Sequence, residues 1–164
     1  MAEQPKMVSY FNKQIRISIL APETWTGQMV GEVQFRLFGP AEPDFDDYRP
    51  TMSYLLGRPE GYGEAWFEQI IKQSGQEMQR DYYEFRLVDE RRFSLSSLAP
   101  VYVRWFKWRD QDTNLAFSQL QSLILAGRGS LYLINAATLE PLERKYMSVF
   151  ETILKSTRII RRQT

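Results

Sequence analysis

The sequence predicts an α+β fold: a largely antiparallel, curved sheet flanked by two long helices as an α/β/α sandwich. Most of the chain alternates apolar and polar residues with a period of two, which is typical of half-buried strands. Two segments, 63–80 and 138–156, instead repeat apolar residues at helical spacing. The segments between consecutive predicted strands are too short for parallel crossovers, so the strands are expected to be antiparallel.

Three strands are predicted before the first helix, built on Ile15, Ile17 and Ile19, on Val33, Phe35 and Leu37, and on residues 51–56. A segment rich in Pro and Asp, residues 40–50, indicates a loop between the second and third of them. The helix over 63–80 carries the apolar residues Trp66, Phe67, Ile70, Ile71 and Met78. Within it, Gly75 is expected to cost about 1 kcal/mol relative to alanine.

The second half of the chain predicts four strands and the closing helix. The strands are expected around Tyr83, Phe85 and Leu87, and over 99–109, 115–125 and 130–135, with a short hairpin loop at Gly127-Arg128-Gly129. In the closing helix Thr138 is expected to be the N-cap, and Pro141 suits the first turn. Its apolar face would consist of Leu142, Tyr146, Val149, Phe150, Ile153 and Leu154.

Composition limits the functions that this chain can perform. The 164 residues are expected to form one domain, residues 1–164 with a core over about 10–160. The chain has no Cys and no His, which excludes disulfides, thiolate nucleophiles and a Ser-His-Asp triad, and no cofactor is predicted. A net charge of +1 argues against a general nucleic-acid binder. Neither a transmembrane segment nor a signal peptide is visible, so a cytoplasmic location is expected.

Both ends of the chain resemble a known superfamily. Residues 17–25 (ISILAPETW) resemble the alternating strand followed by Pro-x-x-Trp that opens PsbP-like and Mog-like proteins. The strand over 131–136 and the closing helix with Tyr146, Phe150 and residues 153–156 (ILKS) resemble their ending. The order of elements between the two ends also agrees, so the likeness covers about residues 10–160. The loop over 40–50 departs from the pattern.

This resemblance implies a binding protein rather than an enzyme. Members of the superfamily include extrinsic photosystem II subunits, a Ran-binding nuclear import factor and chaperones of type VI secretion effectors. They share a fold but not a function, and none of their binding residues matches this sequence position by position.

One strand carries the main candidate for a binding site. Tyr102, Arg104, Phe106 and Trp108 are expected to share one face of the strand over 99–109, where aromatic rings interleaved with arginine could stack on a peptide or on bases. Tyr, Trp and Arg are also the usual anchors of protein interfaces. The alternative is that both faces of the strand are buried beneath helices, with Arg104 at a rim.

Weaker candidates are four polar clusters for which an ordinary structural role is favoured. They are an acidic loop for Ca²⁺ (Glu42, Asp44, Asp46, Asp47), the glycine-containing run 57–63 before a helix, a group of serines (Ser94, Ser96, Ser97), and a basic end (Arg158, Arg161, Arg162).

Three functions remain open after these exclusions. The sequence favours a non-enzymatic protein-binding, assembly or chaperone-like domain, whose partner is another protein. One alternative is a small metal- or carboxylate-dependent enzyme that uses Asp44, Asp46 and Asp47. The other is a carrier that holds a small apolar ligand between sheet and helix.

Overall fold

The computed structural model describes residues 5–57, 61, 63–127 and 130–160. These residues form ten strands and two helices: β1 Met7–Asn12, β2 Ile17–Pro22, β3 Thr26–Val30, β4 Gln34–Phe38, β5 Thr51–Gly57, α1 Glu64–Asp81, β6 Arg86–Ser94, β7 Pro100–Arg109, β8 Ala116–Leu125, β9 Leu131–Leu139, α2 Glu143–Lys155 and β10 Arg158–Ile159. All strand pairings between these elements are antiparallel. The predicted α+β class, with two helices and a large antiparallel sheet, is confirmed.

The strands form one large and one small sheet. The large sheet has seven strands in the order β3-β4-β5-β9-β8-β7-β6, and the small sheet has three in the order β1-β2-β10. Strand β5 pairs with β9, which is far from it in the sequence, and Tyr54 lies opposite Ile134. The small sheet joins the two chain ends, because Ile159 of β10 pairs with Ile17 of β2.

The two helices pack on opposite faces of the large sheet. Val101 and Val103 of β7 belong to the main core, which also contains Phe150 of α2. Tyr102, between those valines, belongs instead to a smaller cluster with Phe67 of α1. Successive side chains of a strand point to opposite faces, so β7 carries one core on each side.

The closing helix begins later than the sequence predicts. Thr138 is not an N-cap: it is fully buried within β9, and it pairs with Ser118 of β8. Strand β9 follows the long strand β8 as far as the pair Phe117–Leu139, and only then does a 3-10 turn, Glu140–Leu142, lead into α2. Helix α2 therefore has 13 residues. The backbone hydrogen bonds of these residues are made to the neighbouring strands. The helical spacing of the residues that follow does not show at which residue the strand ends.

The predicted strands also differ from the observed ones at several places. Strands β1 and β3 were not predicted, because β3 lies at a sheet edge with mostly exposed side chains and β1 is only half-buried. The strand predicted from Tyr83 begins only at Arg86, since Glu84 adopts a left-handed backbone conformation (φ 55°) in the turn after α1. The hairpin residues Arg128 and Gly129 lie outside the described residues.

Candidate functional site

The structure places the four residues of the candidate strand on one face of β7, as the alternation predicts. Three of them are buried: Tyr102, Arg104 and Phe106 have exposed fractions of 2%, 3% and 0%. Only Trp108, near the end of β7, remains partly exposed. Because α1 covers these three residues, they do not form an exposed surface on which a partner could dock, and their role in binding stays a prediction. Arg104 lies beneath α1 rather than at a rim.

Arg104 is held by the helix that covers it. Its Nη2 donates to the carbonyl oxygen of Ile71 at 2.7 Å and to the hydroxyl of Ser74 at 3.0 Å. Its Nη1 lies 3.6 Å from the sulfur of Met78, and its buried Nε has no hydrogen-bond partner among the described residues. Loss of hydration on burial lowers the pKa of Arg104, because the charged form is the one penalised.

Tyr102 and Glu90 accompany Arg104 on neighbouring positions of the sheet. Glu90 of β6 lies opposite Arg104 in the β6–β7 register. It does not bond the guanidinium; instead, its carboxylate accepts the hydroxyl of Tyr102. Burial raises the pKa of Tyr102 to about 12, and the guanidinium of Arg104 lies 4.9 Å from the centre of its ring.

The aromatic residues of this face mostly contact one another. Trp108 stacks on Phe117 with ring centres 4.9 Å apart and an interplanar angle of 18°, and the edge contact with Tyr82 is also at 4.9 Å. The indole Nε1 of Trp108 donates to Gln119 at 3.0 Å. Trp108 is therefore already stacked and hydrogen-bonded within the chain, which leaves less of it free to stack on a base.

Beyond these aromatics, the same sheet face carries a set of polar side chains, all but one of them uncharged, that the sequence analysis missed. We call this set the amide face; it consists of Gln28, Gln34, Arg36, Ser53, Gln119, Gln121 and Asn135. The pairings Gln28–Arg36, Arg36–Ser53, Ser53–Asn135 and Asn135–Gln121 place one row of it across β3, β4, β5, β9 and β8. In the sequence, this face could have been recognised only from Gln119 and Gln121, which are two positions apart in β8 and therefore share one side of the strand.

The amide face is only partly covered. The residues that cluster with the apolar side of α1 belong to β7, β8 and β9, and none belongs to β3, β4 or β5. Ser53, Arg36 and Asn135 are accordingly half-exposed, and Gln28 is exposed. Gln119 donates to Asn135 at 3.0 Å, whereas the buried oxygen Oε1 of Gln121 has no partner among the described residues. The face thus presents donors and acceptors of neutral hydrogen bonds, and Arg36 is its one charge.

The carboxylates of the acidic loop are not gathered into one cluster. Pro43–Phe45 form a 3-10 turn, and Asp46 and Asp47 follow it in left-handed backbone conformations. In the part of the chain that the structure describes, no three acidic residues come close enough together to hold an ion. Glu42 instead accepts hydrogen bonds from Lys145 at 2.6 Å and from the hydroxyl of Tyr146, which fasten the loop to α2.

Glu42 should make the stability of the fold dependent on pH. The bonds from Lys145 and Tyr146 hold the pKa of Glu42 below its usual value of 4.5. A carboxyl group whose pKa is lower in the folded chain than in the unfolded chain stabilises the fold when the pH is above the unfolded-chain pKa. This stabilisation is lost as the pH falls through the folded-chain pKa. Glu42→Gln is therefore expected to lose about 1 kcal/mol at neutral pH and less at about pH 3, because the deficit shrinks as the pH falls below 4.5.

Urea denaturation of both proteins at the two pH values measures this difference. Asp44→Asn, in the same turn, serves as the matched control and should cost less than about 0.5 kcal/mol at either pH. A Glu42→Gln deficit of the same size at both pH values would mean that the charge of Glu42 is not what fastens the loop.

A cavity of about 800 Å³ lies at one end of the large sheet, where the β6–β7 turn and the start of β9 meet the last described residues. Leu98, Leu125, Ile159 and Ile160 supply apolar walls, and Arg16 is the charged group among its lining residues. It is not the pocket between sheet and helix that the carrier hypothesis predicts. Residues 58–60 and 128–129, which are neighbours of its lining in sequence, lie outside the described residues. The carrier function stays a prediction.

The remaining sequence candidates gain no catalytic partner. Most of the run 57–63 and both Arg161 and Arg162 lie outside the described residues, and Arg158 is exposed in β10. Ser97 has a buried hydroxyl without a described partner, but the chain contains no histidine to activate it. None of the helices described is long and apolar enough to cross a membrane.

Solved structures resemble this chain over nearly its whole length. LpqN of Mycobacterium tuberculosis, described as involved in cell envelope biogenesis, is 14% identical with a TM-score of 0.67, covering 95% of this chain and 91% of LpqN. The cyanobacterial PsbP protein (CyanoP) of Synechocystis is 15% identical with a TM-score of 0.64, covering 96% and 94%. The Ran-binding protein Mog1p of Saccharomyces cerevisiae is 9% identical with a TM-score of 0.63, covering 96% and 97%.

The chain has the PsbP/Mog-like fold. The resemblance seen at both ends of the sequence is therefore confirmed at the level of structure. At these identities the likeness shows the fold alone, and LpqN and Mog1p, which share this fold, have different roles. No protein-family model and no curated protein matches the sequence.

Proposed function

We propose that this chain is a non-enzymatic domain that binds another protein, and that the partner docks on the amide face beside α1. The observation that carries the proposal is the row of hydrogen-bonding side chains, neutral except for Arg36, that crosses five strands and is left partly open by both helices. Solvation of an exposed sheet face requires polar side chains of any kind, and it does not require amides that are aligned across strands. This face has aligned amides, of which Asn135 is half-exposed and Gln28 is exposed.

The chemistry of the face suits a polypeptide backbone. Each Gln or Asn side chain offers both a donor and an acceptor, which is the same pair that each peptide unit presents. No Asp or Glu lies among the seven residues of the amide face, so a partner segment meets no negative charge there. Half-exposed aromatic rings at its border, including Trp108, supply apolar contact area. An uncharged, extended partner segment fits these features.

The comparisons support the class of function but not the partner. Mog1p is a Ran-binding protein, so the PsbP/Mog-like fold serves protein recognition in at least that protein. The metal- or carboxylate-dependent alternative receives no support from the acidic loop, whose Glu42 is bound to α2. The cytoplasmic location stays a prediction.

Arginine variants on the amide face test the proposal in affinity capture from the native host. Ser53→Arg and Gln28→Arg each place a bulky charge on half-exposed or exposed positions, where folding should be affected by less than about 0.5–1 kcal/mol. Both are expected to lose the partner that the unmodified chain retains. Ser148→Arg, at an exposed position of α2, is the matched control and should retain it.

Retention of the same partner by all three variants would exclude the amide face as the docking surface. Loss in all three would point to a general effect of added charge. Circular dichroism of each variant before capture establishes that a lost partner does not reflect a lost fold.

A further inference from the structure

A second cavity lies on the other side of α1, between this helix and β6. Its volume is about 220 Å³, and Arg104 is its buried cationic residue. Lys72 and Gly75 of α1, and Leu87 and Glu90 of β6, also line it, together with Phe85 from the turn between them. The cavity thus reaches from the surface of the helix to a guanidinium that is almost completely excluded from solvent.

The guanidinium of Arg104 is incompletely partnered. It has five N–H groups, yet only Nη2 donates to oxygen atoms, those of Ile71 and Ser74. The contact of Nη1 is to a sulfur at 3.6 Å, and Nε has none among the described residues. A buried charge without a directly bonded counter-ion is costly, and such groups are concentrated at functional sites.

Gly75 lets this guanidinium lie close to the backbone of α1 beside the cavity. A Cβ atom at position 75 would lie 2.8 Å from Nη1 of Arg104, closer than a carbon atom can remain without displacing it. Both residues line the same cavity. The missing side chain of Gly75 therefore lets Nη1 lie directly against the backbone of α1, at the wall of this cavity.

The charges around the cavity favour an anion with a single charge. Lys72 and Arg104 supply two positive charges, and Glu90 supplies one negative charge that is bonded to Tyr102. One carboxylate would balance them, whereas a dianionic phosphate would leave an excess of negative charge beside Glu90. Phe85 and Leu87 offer apolar walls for a short hydrocarbon stem.

We propose that this cavity binds a carboxylate on a short apolar stem, which pairs with Arg104 and is attracted by Lys72. A free carboxylic acid and the glutamate side chain of a partner protein share this chemistry. The cavity opens beside β6, at one edge of the large sheet, whereas the more exposed part of the amide face lies on β3, β4 and β5 towards the other edge. Propionate binding therefore does not depend on whether a partner docks on the amide face.

Titration of the full chain with propionate tests the site, and the NMR signal of the Nε–H group of Arg104 is used to monitor binding. We expect a saturable shift with a Kd of about 1–10 mM, the weak affinity of a small ligand. Propionamide has nearly the same shape without the charge and should leave the signal unmoved. Lys72→Glu, at an exposed position of α1, should weaken the binding of propionate at least about fivefold, whereas Lys155→Glu on α2 should leave it unchanged.

A shift that does not saturate, or that propionamide produces equally, would overturn the proposal. So would equal weakening by Lys72→Glu and Lys155→Glu. The source of the carboxylate follows from a second arm, in which propionate is added to the captured partner complex. Release of the partner assigns the carboxylate to a glutamate of that partner, and retention with saturable propionate binding assigns it to a free acid.

Discussion

Replacing Phe150 by alanine is expected to lower the free energy of unfolding by about 3–5 kcal/mol. Phe150 is fully buried in the main core, where its ring meets Trp25 edge-on at 6.0 Å and lies beside Tyr146 at 6.4 Å. The substitution removes this ring from between α2 and the strands, and the rigid sheet cannot close the space. Since a domain is usually stable by only about 5–15 kcal/mol, the variant should be close to unfolding at room temperature.

Urea denaturation monitored by tryptophan fluorescence measures this loss. Arg144→Ala, at an exposed position of the same helix, is the control and should change the stability by less than about 0.5 kcal/mol. Lys145 is unsuitable as a control, because it bonds Glu42. An unchanged midpoint for Phe150→Ala would show that α2 is not packed on the core in solution.

Replacing Gly75 by alanine is expected to destabilise the chain, against the usual trend. In a helix interior the change from glycine to alanine normally stabilises by about 0.5–1 kcal/mol. Here the added carbon would lie 2.8 Å from Nη1 of Arg104, whose other hydrogen bonds tie it to Ile71 and Ser74 of the same helix. Displacing a buried, bonded side chain costs about 1–3 kcal/mol, so we expect a net loss of about 1–2 kcal/mol.

A double-mutant cycle with Arg104→Met isolates the cause. Methionine is flexible and apolar, and replacing a buried charge by an apolar residue is often neutral or stabilising. In that background Gly75→Ala should recover its usual gain of about 0.5–1 kcal/mol. If alanine stabilises both backgrounds equally, Arg104 does not occupy the space above Gly75.

The glycine illustrates how far local sequence reasoning reaches. Its weakening effect on α1 was predictable, because helix propensity is a property of a residue and its nearest neighbours. The compensating contact with Arg104, 29 positions later in the chain, was not. Likewise, the spacing of Phe67 and Ile71 correctly predicted the apolar side of α1, but not the strands on which that side lies.

The candidate sites show the same division. The alternation over β7 placed Tyr102, Arg104 and Phe106 on one face, and that placement is correct. Their burial depended on the position of α1, which the sequence of β7 does not contain. Gln28 and Gln121 belong to one row only because β3, β4, β5, β9 and β8 lie side by side in that order. A pattern within one strand cannot show this row.

The sequence by itself determined the α+β class, the faces of both helices and the absence of histidine and cysteine chemistry, since these depend on composition and short-range periodicity. The tertiary structure decided where β9 ends and α2 begins, what covers Arg104 and which amides share a face. Those features depend on pairing and burial between distant segments, and one turn of helix or one strand looks the same in sequence whether its neighbour covers it or leaves it open.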